Sequence, residues 1–366
     1  MISADDYLDN NFQTCPADRP LIVQIAGHNP AVMLQAARMV EDKCDAIDIN
    51  LGCPQGIAKR GRYGAFLMEE LELLHEIVSL LSTNLKIPVT CKTRIYQGED
   101  GLERSIKLCE TLVNAGAQML TIHGRTREQK QQATGSCDWE RVAEIKKHFG
   151  DKVPIIANGG IETIEDVYIC LEKTGCDGVM SSEAILENPQ LFDTFDRTRS
   201  ANSRSSCSRS RSETKKIFNQ IELAQAYIDL CKQYPPHAFK TIRGHCMKFL
   251  FRYFEIHTGL RNKVGETCNV DVLGDVCTEL SQLLAANGEA FYPISWYNRH
   301  KTLATKHNLS LKDRQAALWD DFKECGAMND RNGDGDGDGD GKNDDNNDHE
   351  NTIFSGINLF GDNDDE

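Results

Sequence analysis

The chain has 366 residues, 40% hydrophobic and 27% charged, with a formal net charge of −15. No apolar run reaches the ~18 residues of a membrane span. The opening Met1-Ile2-Ser3-Ala4-Asp5-Asp6 lacks the basic and apolar segments of an export signal, so the expectation is a cytoplasmic or nuclear protein with no membrane partner. Fourteen scattered cysteines without a Cys-x-x-Cys pair argue against a zinc site or a disulfide framework and fit a reducing compartment. The acidity is uneven. Residues 329–366 carry thirteen acidic against two basic residues, net −11, which leaves only −4 of the chain's −15 for the other 328. A polyanionic partner for the body is therefore compatible with the charge.

Six short apolar runs recur between residues 20 and 199: Leu21 to Ile25, Ala46 to Asn50, Pro88 to Lys92, Met119 to His123, Pro154 to Asn158 and Gly178 to Ser182. They read as buried parallel strands. Longer amphipathic segments separate them, as in Ile164 to Leu171 with apolar residues at 164, 167, 168 and 171, which predicts helices. Strands alternating with helices make an α/β fold. Polar residues fall at the C-terminal end of almost every run, namely Gln24, Asn50, Lys92, His123 and Asn158. In a barrel those ends form one mouth, where active sites are built. An open sheet would carry a Gly-x-Gly-x-x-Gly turn after its first strand, and none is present. The prediction is a TIM-type barrel of six strand–helix units.

Residues 200–213 are a Ser/Arg stretch without apolar periodicity and read as a flexible insertion. From Lys216 the strand pattern stops. Ile217 to Gln233, Ala238 to His257 and Val270 to Ala286 predict three helices, the second with Lys240, Arg243, Lys248 and Arg252 at near-helical spacing. Taken alone, that basic face suits solvent as well as a polyanion. A Gly-Asp repeat from Gly333 to Gly341 matches the start of a calcium loop. It has Asp345 in place of the closing glutamate and no flanking apolar helices, so it reads as an acidic disordered tail.

Several residues could carry chemistry. Cys53 stands between Gly52 and Pro54 on a strand-to-loop turn, which suits an acid, a nucleophile or a thiolate. The loop after it, Ile57 to Ala65, is basic and glycine-rich, with Lys59 and Arg60, and can approach an anion closely. Lys92 and His123 close successive strands and face the same mouth. A lysine there needs a partner, either a neighbouring carboxylate or an anionic ligand. Asn158-Gly159-Gly160 and Ser181-Ser182-Glu183 follow the last two strands, where barrels often bind phosphate. No P-loop, nicotinamide fingerprint or metal-ligand spacing is present.

Together these residues resemble the tRNA-dihydrouridine synthase family, in particular its eukaryotic members acting at uridines 16 and 17. The matching segments are 15–24, 48–55, 57–67, 89–94, 121–126 and 178–183, in order over residues 10 to 195. The resemblance implies an FMN-binding TIM barrel over 1–199, a Ser/Arg insertion at 200–215, a helical tRNA-binding domain over 216–328 and an acidic tail at 329–366. It implies Cys53 as the acid that protonates C5 of uracil, with hydride from reduced FMN at C6 and NADPH or NADH as reductant. It implies flavin contacts from Gln24, Lys92 and His123, and phosphate contacts from Asn158, Gly159, Gly160, Ser182 and Glu183. Asn50 and Arg125 match residues beside the substrate base. Lys59, Arg60, Lys240, Arg243, Lys248 and Arg252 are candidates for tRNA contacts. The family's barrel begins with two further strands, and nothing before Asp18 reads as either. The expectation is an N-terminally incomplete barrel with two unpaired sheet edges. Two other readings stay open: an RNA-binding remnant without flavin, and a flavin barrel acting on a small molecule.

Overall fold

The computed structural model describes residue 8 and residues 12–130, 134–193, 219–236 and 238–287. The Ser/Arg stretch at 200–215, the acidic tail and its Gly-Asp repeat lie outside the described residues.

Six strands form one parallel sheet in strict chain order: β1 (Ile22–Ile25), β2 (Ala46–Leu51), β3 (Val89–Arg94), β4 (Leu120–His123), β5 (Ile155–Asn158) and β6 (Gly178–Met180). Between them run α1 (Pro30–Arg38), α2 (Gly56–Arg60), α3 (Leu71–Asn84), α4 (Gly101–Asn114), α5 (Trp139–Phe149) and α6 (Ile164–Thr174), and α7 (Glu183–Glu187) follows β6. Each of α1, α3, α4, α5 and α6 packs beside the next around the outside of the sheet. That is the arrangement of six consecutive units of a TIM barrel. The runs predicted as strands are the strands found, with ends moved by one or two residues. β1 and β6 lie at the two ends of the sheet and do not pair with each other.

The two faces differ in chemistry. The outer face carries Ile47, Ile49, Val89, Cys91, Leu120, Ile122, Ile155 and Ala157, all essentially buried against the helices. This packing supplies the main drive for folding. The inner face is polar. Register places Gln24 beside Asp48 and Asp48 beside Thr90, then Asn50 beside Lys92 and Lys92 beside Thr121, then Arg94 beside His123 and His123 beside Asn158. Side chains two apart on a strand share a face, so these nine residues line one concave surface in rising tiers.

Local signals start the helices. Asn29 accepts the Val32 N–H at the start of α1, with Pro30 in the first turn. Thr163 and Asp166 form a reciprocal capping box on α6. In α6 the buried apolar side chains are Val167 and Cys170, while Ile164 and Leu171 pack at the margin of the core.

The C-terminal part is helical with its own apolar cluster: α8 (Gln220–Gln233), α9 (Phe239–Phe249), α10 (Phe251–Ile256), α11 (Thr258–Glu266) and α12 (Val270–Asn287). Here the single helix expected over 238–257 is corrected. It breaks at Leu250, which closes α9 and precedes α10, although Phe249, Leu250, Tyr253 and Phe254 are all buried at helical spacing across the break. Helix α11 was not expected. Its buried face is only Leu260 and Val264, and Gly259 and Gly265 weaken its pattern. Helix α9 packs on α7, at the end of the sheet.

Candidate active site

Cys53 follows β2 on a tight turn and is half-buried, with its Sγ 3.9 Å from Gln55 Oε1. The turn is held from several sides. The backbone N–H groups of Gly52 and Cys53 both donate to Asn50 Oδ1, at 3.0 and 3.1 Å. Ala65 N–H donates to the Cys53 carbonyl at 3.0 Å. Gly64 has φ +65, and a Cβ there would lie 2.9 Å from the Cys53 Cβ, so only glycine lets the two loops meet. Arg94 Nε donates to the Gly52 carbonyl at 2.7 Å, and Lys130 Nζ donates to the Pro54 carbonyl at 2.9 Å.

A hydrogen-bonded row runs away from this turn across three strands. Asn50 Nδ2 donates to Gln24 Oε1 at 2.8 Å, Gln24 Nε2 to Asp48 Oδ2 at 2.7 Å, and Thr90 Oγ1 to Asp48 Oδ1 at 2.6 Å. Burial raises the Asp48 carboxyl pKa, and the two donors and Lys92 oppose that rise.

Lys92 is one tier above. Among the described residues its ammonium has no hydrogen bond or ion pair. Burial pushes its pKa down to about 8, against the attraction of Asp48. Of the two partners the sequence left open for Lys92, a carboxylate in ion-pair contact is therefore absent among the described residues. His123 is pushed down to about 2 by burial and then by Lys92, Arg94 and Arg125. Its Nε2 lies 3.3 Å from Arg125 Nη1. A guanidinium can only donate, so Nε2 is the acceptor and the ring is neutral.

That neutrality has a sign. Unfolded, His123 takes a proton below pH 6.5. Folded, it stays neutral down to about 2. The unfolded state then binds the extra proton, so this residue's contribution to stability is lost as pH falls below 6.5. Chemical unfolding at about pH 5 and pH 7 should give a shallower pH slope in His123→Gln than in the parent chain.

After β5, Gly159 and Gly160 have φ +95 and +75. A Cβ on Gly159 would sit 2.7 Å from His123 Cδ2 and 3.0 Å from Cys137 Sγ. Trp139 Nε1 donates to the Gly159 carbonyl at 3.0 Å, and Ser181 Oγ donates to the Ile161 carbonyl at 2.9 Å, tying this loop to the one after β6. Gly159→Ala adds both a steric clash and a disfavoured backbone. It should cost about 1–3 kcal/mol in denaturant unfolding. Asn158 is buried and its Nδ2 donates to the Met180 carbonyl at 3.0 Å. Ser182 and Glu183 are exposed at the start of α7.

The predicted residues thus divide. Gln24, Asn50, Cys53, Lys92, His123, Arg125, Asn158, Gly159 and Gly160 sit at or beside one end of one sheet face. Lys59 and Arg60 are exposed on α2 beside the Cys53 turn and have no ion pair among the described residues. On the helical part, Lys240 is exposed, Arg243 donates to the Gly265 carbonyl at 2.7 Å, and Arg252 pairs with Glu255 at 2.8 Å. Lys248 is half-buried. Two residues with a part in the site had no assigned role from sequence, Asp48 and Arg94. Each stands two positions from an assigned residue on its own strand, and that alternation was the available signal. Arg94 also donates from Nη1 to the Thr126 and Gln129 carbonyls, at 2.8 and 3.3 Å, so it joins the loops after β2 and β4.

Comparison with known proteins adds a lineage. A family model described as dihydrouridine synthase matches residues 1–255. The tRNA-dihydrouridine(16/17) synthase [NAD(P)(+)] of Saccharomyces cerevisiae is 41% identical over 70% of this chain and 58% of its own length. The tRNA-dihydrouridine(16/17) synthase [NAD(P)(+)]-like protein of Rattus norvegicus is 39% identical over 73% of this chain and 55% of its own. The tRNA-dihydrouridine(20a/20b) synthase [NAD(P)+]-like protein of Homo sapiens is 34% identical over 54% of this chain. The chain therefore spans little more than half the length of the 16/17 relatives named here. Among solved structures, DHODH in complex with ferulenol from Eimeria tenella aligns with 50% of this chain and 57% of that chain, at TM-score 0.37 and 16% identity.

Proposed function

The chain belongs to the dihydrouridine synthase family, and from that premise we propose that it reduces the C5–C6 double bond of uridine in tRNA, at positions 16 and 17, with FMN as cofactor and NADPH or NADH as reductant. The observation that carries this reading is the Cys53 turn standing on the same polar sheet face as the Lys92 ammonium and the neutral His123. The 16/17 assignment rests on relatives of that name matching at higher identity and over more of the chain than the 20a/20b relative.

The residues fit a phosphorylated flavin. Lys92 is half-buried and its ammonium has no acceptor of its own among the described residues. Gly159 and Gly160 leave backbone where a Cβ would intrude. Gln24, Lys92 and His123 would hold the ring system and its chain. Asn158, Gly159, Gly160, Ser182 and Glu183 would hold the phosphate end. Bound there, FMN supplies the hydride for C6 of the pyrimidine, drawn from NADPH or NADH.

The chain's own part is acid–base and positional. Hydride at C6 leaves negative charge toward C5 and O4, so a proton must arrive at C5. The Cys53 thiol gives that proton, and water returns one to the thiolate. Lys92 supplies a positive charge on the same face, which stabilises negative charge developing there. Asn50 and Arg125 flank the base. The target uridine has to leave its stack to reach this depth. Lys59, Arg60 and Lys240, exposed and without an ion pair among the described residues, meet phosphates, with Lys248 beside them. Arg243 and Arg252 already serve the helical part itself and contribute less. With tRNA as substrate, the place of work is cytoplasm or nucleus.

The test is direct. Unmodified tRNA is incubated with the chain, FMN and NADPH, and its nuclease fragments are weighed. A gain of two hydrogens in the D-loop fragment is expected. A flavin-loaded chain that leaves every tRNA fragment at its starting mass overturns the reading. A flavin-free chain that still binds tRNA would instead favour the RNA-binding alternative.

A further inference from the structure

We infer that Asp48 is a positioning residue for the Cys53 thiol, acting through Gln24 and Asn50, a role that rests on the reading of Cys53 as the proton donor. The argument is one of hydrogen-bond polarity. The backbone N–H groups of Gly52 and Cys53 can only donate, so Asn50 must turn its Oδ1 toward them. That leaves Asn50 Nδ2 in search of an acceptor, and it finds Gln24 Oε1 at 2.8 Å. Gln24 must then point its own Nε2 away from Asn50, and it does so into Asp48 Oδ2 at 2.7 Å. An ionised carboxylate has no donor and ends the row. The second oxygen of Asp48 takes the Thr90 hydroxyl at 2.6 Å, a bond that lies outside the row.

The row therefore has a fixed donor at one end and a fixed acceptor at the other. Both amides between them have only one satisfactory orientation. An amide is close to symmetric in shape, so packing alone would allow either. Asp48 is buried, 6% exposed, and makes no ion pair among the described residues. A carboxylate in such a place is costly unless its hydrogen bonds are needed. Its reach is long: Asp48, on β2, lies five residues before Cys53 in the chain, yet its effect travels through β1 and back.

The consequence is for the turn. With Asn50 fixed, Cys53 is carried by two backbone bonds and its Sγ is held at one depth. With Asn50 free to flip, an amide N–H would face the two backbone N–H groups and push the turn open.

The experiment reads the thiol itself. The full chain and its variants are treated with iodoacetamide, and alkylation at Cys53 is timed by peptide mass spectrometry, with the exposed Cys15 and Cys268 as internal references. Asp48→Leu should alkylate at Cys53 roughly tenfold faster, the loss expected when a charged hydrogen-bond partner goes. Asp48→Asn, of the same shape, should fall between, since its own amide permits both orientations of Gln24. Gln24→Leu, at an exposed position, should match Asp48→Leu and covers the case in which Asp48→Leu does not fold. Thr90→Val, which removes the other bond to Asp48, should stay within about twofold of the parent. Cys53 reactivity unchanged in both folded Asp48→Asn and Gln24→Leu overturns the inference, as does an equal change in Thr90→Val, which would mark a role in packing alone. In single-turnover assays Asp48→Asn should slow uridine reduction and leave tRNA affinity unchanged. If the parent reduces no uridine while Cys53 alkylation follows the order above, the positioning role stands and the functional reading falls.

Discussion

Cys53→Ala is expected to slow single-turnover reduction of tRNA uridine by about 10²–10⁴-fold, the usual worth of a placed general acid. Binding of tRNA and flavin should stay within about twofold, because the change removes one sulfur and leaves the Cβ. The turn itself should survive. Its holding bonds come from the Gly52 and Cys53 N–H groups to Asn50, from Arg94 to the Gly52 carbonyl and from the Ala65 N–H to the Cys53 carbonyl, none of which needs the thiol. The measurement is rapid mixing of pre-reduced protein with tRNA, with flavin oxidation followed by absorbance. A variant that reduces uridine at the parent rate would remove Cys53 from the chemistry. In the small-molecule reading the parent itself leaves tRNA unreduced, so the comparison also separates the two substrates.

The second large effect concerns Lys92. Lys92→Met keeps the length of the side chain and removes the charge. Flavin affinity should fall about 10–100-fold, the worth of a charge-assisted contact. The same substitution should also change how the flavin-free chain responds to pH. Folded, Lys92 gives up its proton near pH 8, whereas unfolded it holds the proton to 10.5. Between those values the unfolded chain binds more protons, so stability rises with pH through that window. Below about 8 both states are charged and the burial cost is constant. Lys92→Met should lack the rise, and the difference between the two unfolding profiles isolates it from the cysteines and tyrosines that titrate nearby. Equal profiles would mean that the ammonium is well solvated or finds a partner of its own. Flavin affinity unchanged in the variant would remove Lys92 from the cofactor site.

The fold was legible to the extent that periodicity carries it. The six apolar runs and the helices between them follow from which residues must leave water, and the polar strand ends pointed to one mouth. The helical part was read less well. A continuous pattern over 238–257 hides the break at Leu250, because Phe249, Leu250, Tyr253 and Phe254 keep helical spacing across it and periodicity sees no interruption. Helix α11 had too few apolar residues to announce itself.

At the site, sequence alone determined the chemical inventory: a thiol on a glycine-proline turn, a lysine and a histidine at strand ends, and glycines where backbone must approach a ligand. It also determined which strand residues share a face with the lysine and the histidine, since alternation depends only on the chain. What the tertiary structure decided is which of them touch. Gln24 meets Asp48 and Asn50 across 24 and 26 residues of chain, and Arg94 meets Gly52 across 42. Those contacts depend on strand register, which a one-residue slip would abolish. Burial decided the rest, because the charge a lysine or a histidine carries is set by the water it has lost, and that is a property of the folded surroundings and not of the residue.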